Sequence, residues 1–177
     1  MVGTSCVGKS TVARALADTI GCTFVELDEL YWGPGWTPKP DDEFRRQVTA
    51  TAAGEAWVTA GNYGVIRDEL WTRATTVVWL NFSFPRVLWQ GIRRTVCRCL
   101  TRERLWEGNR ESIRRSFFSK DSVLIWIITT YHRRRAEFGA LRASDAYSHL
   151  SWIEFRDPSA ANNFLASLRN SPDISIE

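Results

Sequence analysis

Short continuous apolar runs alternate along the chain with stretches of helical spacing. The runs are rich in β-branched and aromatic residues, which predicts buried parallel strands at residues 23–27, 56–60, 75–81 and 150–155. Between them apolar residues recur every three or four positions, which predicts helices over residues 10–20, 41–53, 65–73, 85–100, 121–138 and from 158 onward. Strands that alternate with helices predict an α/β fold with a doubly wound, mainly parallel sheet.

A phosphate-binding pattern stands at the start of this array. The pattern G-x-x-x-x-G-K-[ST] is matched by Gly3, Thr4, Ser5, Cys6, Val7, Gly8, Lys9 and Ser10, with Thr11 following. Such a P-loop turns successive backbone N–H groups and the next helix N-terminus toward a di- or triphosphate. It predicts that Lys9 reaches the β- and γ-phosphates of ATP and that Ser10 binds Mg²⁺. The alternative is a chance glycine-rich turn in which Ser10 or Thr11 caps the following helix.

The strand that should precede this loop is short. Only Met1 and Val2 come before Gly3, whereas strands usually have about five residues. We therefore expect a truncated first strand, from either a misassigned start or a truncation.

Composition indicates one ordinary globular domain over residues 1–177, with 44% hydrophobic and 24% charged residues. The four cysteines have no metal-binding spacing, which favours reduced thiols in a cytosolic protein. The longest apolar run, residues 123–128, is too short to cross a bilayer, and a signal peptide does not fit before a loop that begins at residue 3. We expect a cytoplasmic protein without a membrane partner.

Arginine is concentrated in one part of the chain. Residues 86–115 hold nine Arg and three Glu, a net +6 in a chain of net +3, which indicates an anionic ligand. Residues 101–120 lack steady periodicity and are predicted to form a lid. Arg102 and Arg110 are the predicted catalytic arginines, and Arg114 is predicted to bind substrate. The alternative is a solvated helix face on which nearby glutamates pair with these arginines.

Several further candidates follow predicted strands, at the sheet edge where such folds bind ligands. Asp28 is predicted to accept a proton from an acceptor hydroxyl or to bind Mg²⁺ through water; the alternative is a turn cap. Trp36, Asn62 and Tyr63 are predicted to bind the acceptor, although the aromatic rings can equally pack the loop. Asp157 belongs to the same edge.

Segments spread over nearly the whole chain resemble bacterial adenylate-kinase-like P-loop proteins labelled "DNA topology modulation protein". The likeness is carried by Gly3-Thr4-Ser5, Gly8-Lys9-Ser10-Thr11, Glu26-Leu27-Asp28, Trp32-Gly33-Pro34, Trp36-Thr37-Pro38, Gly61-Asn62-Tyr63, Leu100-Thr101-Arg102-Glu103, Leu105-Trp106, Gly108-Asn109-Arg110-Glu111-Ser112 and Phe117-Phe118-Ser119-Lys120-Asp121-Ser122. The resemblance implies a nucleoside-monophosphate-kinase-like fold with a five-stranded parallel sheet, helices on both faces and a lid near residues 101–120. It also implies ATP as donor, with Asp157 near the adenine by analogy of fold position.

The chain departs from that pattern within the loop and at one strand end. Cys6 and Val7 stand where such loops usually have small residues, and a β-branched Val7 disfavours positive φ. Ala60 stands where the resemblance implies an aspartate that organises Mg²⁺. Whether Glu26 or Glu29 replaces that carboxylate is open at this point.

Two functions follow. The first is a kinase that transfers the γ-phosphoryl group of Mg-ATP to a nucleotide or another small acceptor. The second is a catalytically weakened nucleotide-binding regulator that acts with DNA or a protein partner. Ala60 favours the second, but a pI near 8.8 falls short of a typical DNA-binding face. The acceptor and the oligomeric state are open.

Overall fold

The computed structural model of the protein describes residues 1–101, 105–109 and 122–170. Within these residues the strands are Val2–Gly3 (β1), Thr23–Glu26 (β2), Trp57–Ala60 (β3), Thr76–Leu80 (β4) and Ser151–Phe155 (β5). The α-helices are Lys9–Ile20 (α1), Leu27–Tyr31 (α2), Asp41–Ala52 (α3), Arg67–Trp71 (α4), Phe84–Thr101 (α5), Val123–Arg142 (α6) and Pro158–Asn170 (α7). The predicted α/β class with a parallel sheet is confirmed.

The strands form a sheet of three and a sheet of two that meet at Met1. β1, β4 and β5 pair in parallel in the order β1-β4-β5, and β2 pairs in parallel with β3. The Met1 amino group donates to the Thr59 carbonyl at 2.5 Å, and the Gly61 N–H donates to the Met1 carbonyl at 3.3 Å. This exchange is the bonding pattern of neighbouring parallel strands, so β3 lies beside β1. The sheet expected to be continuous is thus three strands plus two, joined through Met1.

Side chains of β4 alternate between two hydrophobic clusters. Val77 and Trp79 pack with the buried residues of α3 and α4, whereas Val78 and Leu80 pack with those of α5 and α7. Successive residues of a strand point to opposite faces, so the clusters lie on the two faces of the sheet. Helices therefore cover both faces of the sheet. Because β4 is buried on both faces, its sequence is a continuous apolar run.

The structure departs from the predicted elements in a few places. α2 was not predicted: the chain turns helical at Leu27, so Asp28 lies in the first turn of a helix directly after β2 and not at a strand end. α6 continues to Arg142, beyond the predicted end at residue 138. Among the described residues no helix is long and apolar enough to cross a membrane. Most of the predicted lid, including Arg102, Arg110 and Arg114, lies outside the described residues.

Candidate functional site

The glycine-rich loop, residues 3–8, joins the end of β1 to the start of α1. Gly3 has a φ of 145°, and a Cβ there would lie 2.5 Å from the Leu80 carbonyl oxygen, so this position requires glycine. Gly8 and Cys6 take the left-handed conformation, with φ of 98° and 64°. Val7 does not: it is 1% exposed and packs in the core. The positive φ that would strain Val7 is therefore taken by Cys6, whose Cβ is not branched.

Lys9 folds back over this loop. Its Nζ donates to the carbonyl oxygens of Gly3 and Thr4, each at 3.0 Å. Burial lowers the pKa of Lys9 from its usual value, whereas the carboxyls of Asp28 and Glu26 act in the opposite direction. The ammonium group is thus held in a partly desolvated place where an added anion would stabilise its charged form.

Ser10 and Thr11 are exposed in the first turn of α1, so ligands can reach them. Ser10 lies near enough to the carboxylate of Glu26, the last residue of β2, to lower the pKa of that group. Glu26 is 8% exposed, and burial raises its pKa. Its strand partner is Ala60, so Glu26 is the carboxylate at this strand end and position 60 has none.

Asp28 and Tyr63 form a hydrogen-bonded pair beside this loop. The Tyr63 hydroxyl donates to Asp28 Oδ1 at 2.6 Å. Burial raises the pKa of Tyr63, and the Asp28 charge adds to the shift, so the phenol keeps its proton. Asp28 also lies near enough to Lys9 to affect its pKa. The structure thus brings Asp28 close to the lysine of the glycine-rich loop, from which it is 19 positions away in the sequence.

Asn62 binds the glycine-rich loop. Its Oδ1 accepts from the Gly3 N–H at 3.3 Å, and its Nδ2 donates to the Gly3 carbonyl at 2.5 Å. The side-chain amide therefore continues the hydrogen bonding that Gly61 and Met1 begin between β3 and β1. Asn62 was predicted to bind the acceptor, and its observed contacts are those of a residue that positions the loop.

Trp36 lies in an aromatic cluster with Trp32 and Trp106. Ring centroids are 5.8 Å apart for Trp32 and Trp36, and 6.1 Å apart for Trp36 and Trp106, both edge to face. The buried side chain of Asn109 accepts from the Trp36 N–H at 3.1 Å and donates to the Gly33 carbonyl at 2.9 Å. The segment at residues 105–109 is thereby attached to the loop that follows α2. The two ring contacts of Trp36 with Trp32 and Trp106 are packing contacts.

Arg94 on α5 was missed as an individual residue by the sequence analysis. It lies close enough to Lys9 to lower the pKa of that lysine. A signal was present three residues earlier: a Cβ on Gly91 would lie 2.7 Å from Ile127 and 3.7 Å from Cys6. A small residue in a helix marks a close approach, so the next turn on that face reaches the loop.

Asp157 caps a helix. Its carboxylate accepts from the Ser159 hydroxyl at 2.5 Å and from the Ala160 N–H at 2.9 Å, at the start of α7. These hydrogen bonds, with Ser159 foremost, lower the pKa of Asp157. The position of Asp157 near an adenine stays a prediction.

Among the described residues no group of three or more His, Cys, Asp or Glu is arranged to hold a metal ion.

No protein-family model matches the chain, and no curated protein matches it. A backbone loop at a helix N-terminus, a lysine and a nearby arginine can bind an anion, and Ser10 with Glu26 offers oxygen atoms to a hard cation. Asp28 can accept a proton beside the lysine.

Proposed function

We propose that this chain is a P-loop NTPase of the nucleoside-monophosphate-kinase type that binds Mg-ATP and phosphorylates a small hydroxylated acceptor. One observation carries the proposal. Lys9 lies over a glycine-rich loop at the N-terminus of α1, and the Asp28–Tyr63 pair lies beside it. An anion site and a proton acceptor are thus adjacent, as phosphoryl transfer to a hydroxyl requires.

The roles follow from the contacts. The backbone of the glycine-rich loop and Lys9 bind the β- and γ-phosphates, and Arg94 adds positive charge near the transferred group. The acceptor oxygen forms a bond to the γ-phosphorus while the bond to the bridging oxygen breaks and ADP leaves. The acceptor proton passes to Asp28. Ser10 would hold Mg²⁺, which neutralises charge on the phosphates when bound. Arg102, Arg110 and Arg114 remain predicted lid contacts.

The test is ADP release from Mg-ATP with a panel of nucleoside monophosphates, nucleosides and other small hydroxylated compounds. We expect one class of acceptor to stimulate release, and Lys9→Ala to abolish that stimulation. Arg73→Ala, which removes an exposed cation beyond α4, is the matched control and leaves the rate unchanged. Equal release by wild type and Lys9→Ala would contradict the proposal.

The second candidate is a nucleotide-binding protein with weak or no transfer, in association with DNA or a protein. Ala60, fully buried at the end of β3, favours it because the resemblance implies a carboxylate there. ATP binding without stimulation by any acceptor would support this candidate. DNA binding that weakens steeply as salt rises would identify DNA as its partner.

A further inference from the structure

A series of contacts connects the glycine-rich loop to the Asp28–Tyr63 pair. The Gly3 carbonyl accepts from Lys9 Nζ at 3.0 Å and from Asn62 Nδ2 at 2.5 Å, so the lysine and the amide share one acceptor. Tyr63 follows Asn62 in the chain and donates to Asp28 Oδ1 at 2.6 Å. Within the described residues, Asp28 Oδ2 has no hydrogen-bond partner. Asp28 keeps part of its surface exposed, so it can accept a second hydrogen bond from a ligand.

A carboxylate in this position favours a hydroxyl over a phosphate as the attacking group. An ionised carboxylate only accepts hydrogen bonds, and a hydroxyl has a proton to donate. A phosphate monoester carries a charge of about −1.5 to −2 at pH 7, so it is largely deprotonated and the carboxylate repels it. Asp28 can therefore orient a hydroxyl and take its proton, whereas it disfavours a phosphate.

The segment that carries Asp28 and Tyr63 is acidic as a whole. Residues 23–71, from β2 to the end of α4, contain nine Asp and Glu and four Lys and Arg, a net −5. Residues 86–115, which include Arg94, have a net charge of +6. The sign of the charge therefore changes between the acceptor side and the arginine-rich segment. A negative field of this kind disfavours an anionic ligand on the acceptor side.

Two cations of this acidic segment are held by carboxylates. Arg45 forms an ion pair with Glu69, and Arg67 forms an ion pair with Glu137. The remaining cations of the segment are Lys39 and Arg46. A phosphate is bound most strongly by a bidentate arginine. Arg45 or Arg67 could bind one only by giving up its carboxylate partner.

Aromatic rings adjoin the Asp28–Tyr63 pair. The ring centroid of Tyr63 lies 4.6 Å from that of Tyr31 and 5.0 Å from that of Phe44. Tyr31 is also in edge-to-face contact with Trp32, at 4.9 Å. Tyr31, Trp32 and Tyr63 each keep part of their surface exposed. Ring surface of this kind can pack on a planar base or on the apolar face of a sugar.

We propose that the acceptor is a phosphate-free hydroxyl compound with a ring, of the nucleoside or sugar class, and that the acidic segment at residues 23–71 excludes its phosphorylated forms. The inference rests on the proposed function, because it presumes that ATP binds at the glycine-rich loop. It deepens that function by naming the class of acceptor. The acceptor oxygen bonds to the γ-phosphorus, the bond to the bridging oxygen breaks, and the acceptor proton passes to Asp28. The products are ADP and a phosphate monoester.

The experiment measures kcat/KM for acceptor-stimulated ADP release with pairs of compounds that differ by one phosphate group. The pairs are adenosine and AMP, cytidine and CMP, and ribose and ribose 5-phosphate. We expect the phosphate-free member to be preferred by about tenfold or more in each pair that stimulates release. Stimulation by a nucleoside but not by ribose supports the nucleoside class, and stimulation by ribose as well supports the sugar class.

Glu29→Lys tests whether charge causes the preference. Glu29 is exposed on α2 next to Asp28, so this change makes the acceptor side more positive by two charges. It should narrow the preference for the phosphate-free compound by about two- to fivefold. Glu55→Lys is the matched control with the same change of charge. Glu55 is exposed before β3, at the opposite edge of the sheet, and its replacement should keep the wild-type ratio.

The outcomes separate this inference from the proposed function. A phosphorylated compound that is used as well as its phosphate-free partner overturns this inference and leaves the proposed function standing. Equal narrowing by Glu29→Lys and Glu55→Lys also overturns it, because nearness to Asp28 would then have no effect. No stimulation by any compound, in protein whose melting transition shows that it is folded, overturns the proposed function and this inference with it.

Discussion

The bond between Asn62 and Gly3 offers the sharpest test of how the loop is held. The Asn62 amide makes two hydrogen bonds to the backbone of Gly3, a residue 59 positions away. Asn62→Ala removes both and leaves the N–H of a buried glycine without this acceptor. A net hydrogen bond contributes about 1 kcal/mol, and an unsatisfied buried group costs about 1–3 kcal/mol. We expect a loss of about 2 kcal/mol in the free energy of unfolding.

Urea denaturation and thermal melting measure this loss. For a chain of this size, 2 kcal/mol lowers Tm by about 4–8 °C. Asn163→Ala is the matched control, because Asn163 is exposed on α7 and its removal should change stability by less than about 0.5 kcal/mol. Asn62→Asp keeps the acceptor for the Gly3 N–H but places a negative oxygen against the Gly3 carbonyl, so it should be no more stable than Asn62→Ala. If Asn62→Ala unfolds like the control, the amide does not hold the loop.

Three further predictions concern the same region. Gly3→Ala places a Cβ 2.5 Å from the Leu80 carbonyl oxygen of the neighbouring strand, so we expect a loss of about 3 kcal/mol in urea denaturation, and an unchanged midpoint would contradict the packing. Asn109→Ala removes the acceptor of the Trp36 N–H, so hydrogen exchange at that amide should accelerate at least tenfold; wild-type protection would mean that residues 105–109 do not hold the loop. Burial and the Asp28 charge raise the pKa of Tyr63 above its usual 10, so the stability it contributes is complete below pH 10 and falls as pH rises further, because the unfolded chain releases that proton first. Tyr63→Phe should flatten this loss in melts between pH 9 and about 11, and an equal slope in both proteins would refute the assignment.

The sheet was predictable because its signals are local. β4 is a continuous run of β-branched and apolar residues, a pattern that predicts a strand buried on both faces. In the structure its residues alternate between two hydrophobic clusters, as that pattern predicts. The helix α2 could not be predicted from the sequence. It has five residues and no side-chain cap. It starts directly after β2 at Leu27, and a buried leucine at this position fits a strand as well as a helix. Periodicity cannot separate the two over so short a run.

The candidate site divides in the same way. The glycine-rich loop is a contiguous motif, so its residues were identified together. The contacts of Asn62 and Arg94 depend on which strands are neighbours and on how closely α5 approaches the loop at Gly91. The pairing of β2 with β3 places Glu26 opposite Ala60, whereas Glu29 is exposed on α2. Neither segment alone predicts the pairing of these two strands, whose partner residues are 34 positions apart in the sequence.

Ala60 favours a weakened nucleotide-binding protein, although the same edge of the sheet has a buried carboxylate, Glu26, on the neighbouring strand. The acceptor side also separates the two functions. Asp28 accepts a hydrogen bond through Oδ1 from the phenol of Tyr63, which keeps its own proton. Phosphoryl transfer through a loose transition state asks little of the base, because the acceptor proton leaves late. Asp28→Asn should therefore lower the acceptor-stimulated rate far more than it changes ATP affinity, and an equal loss in both would place Asp28 on the donor side.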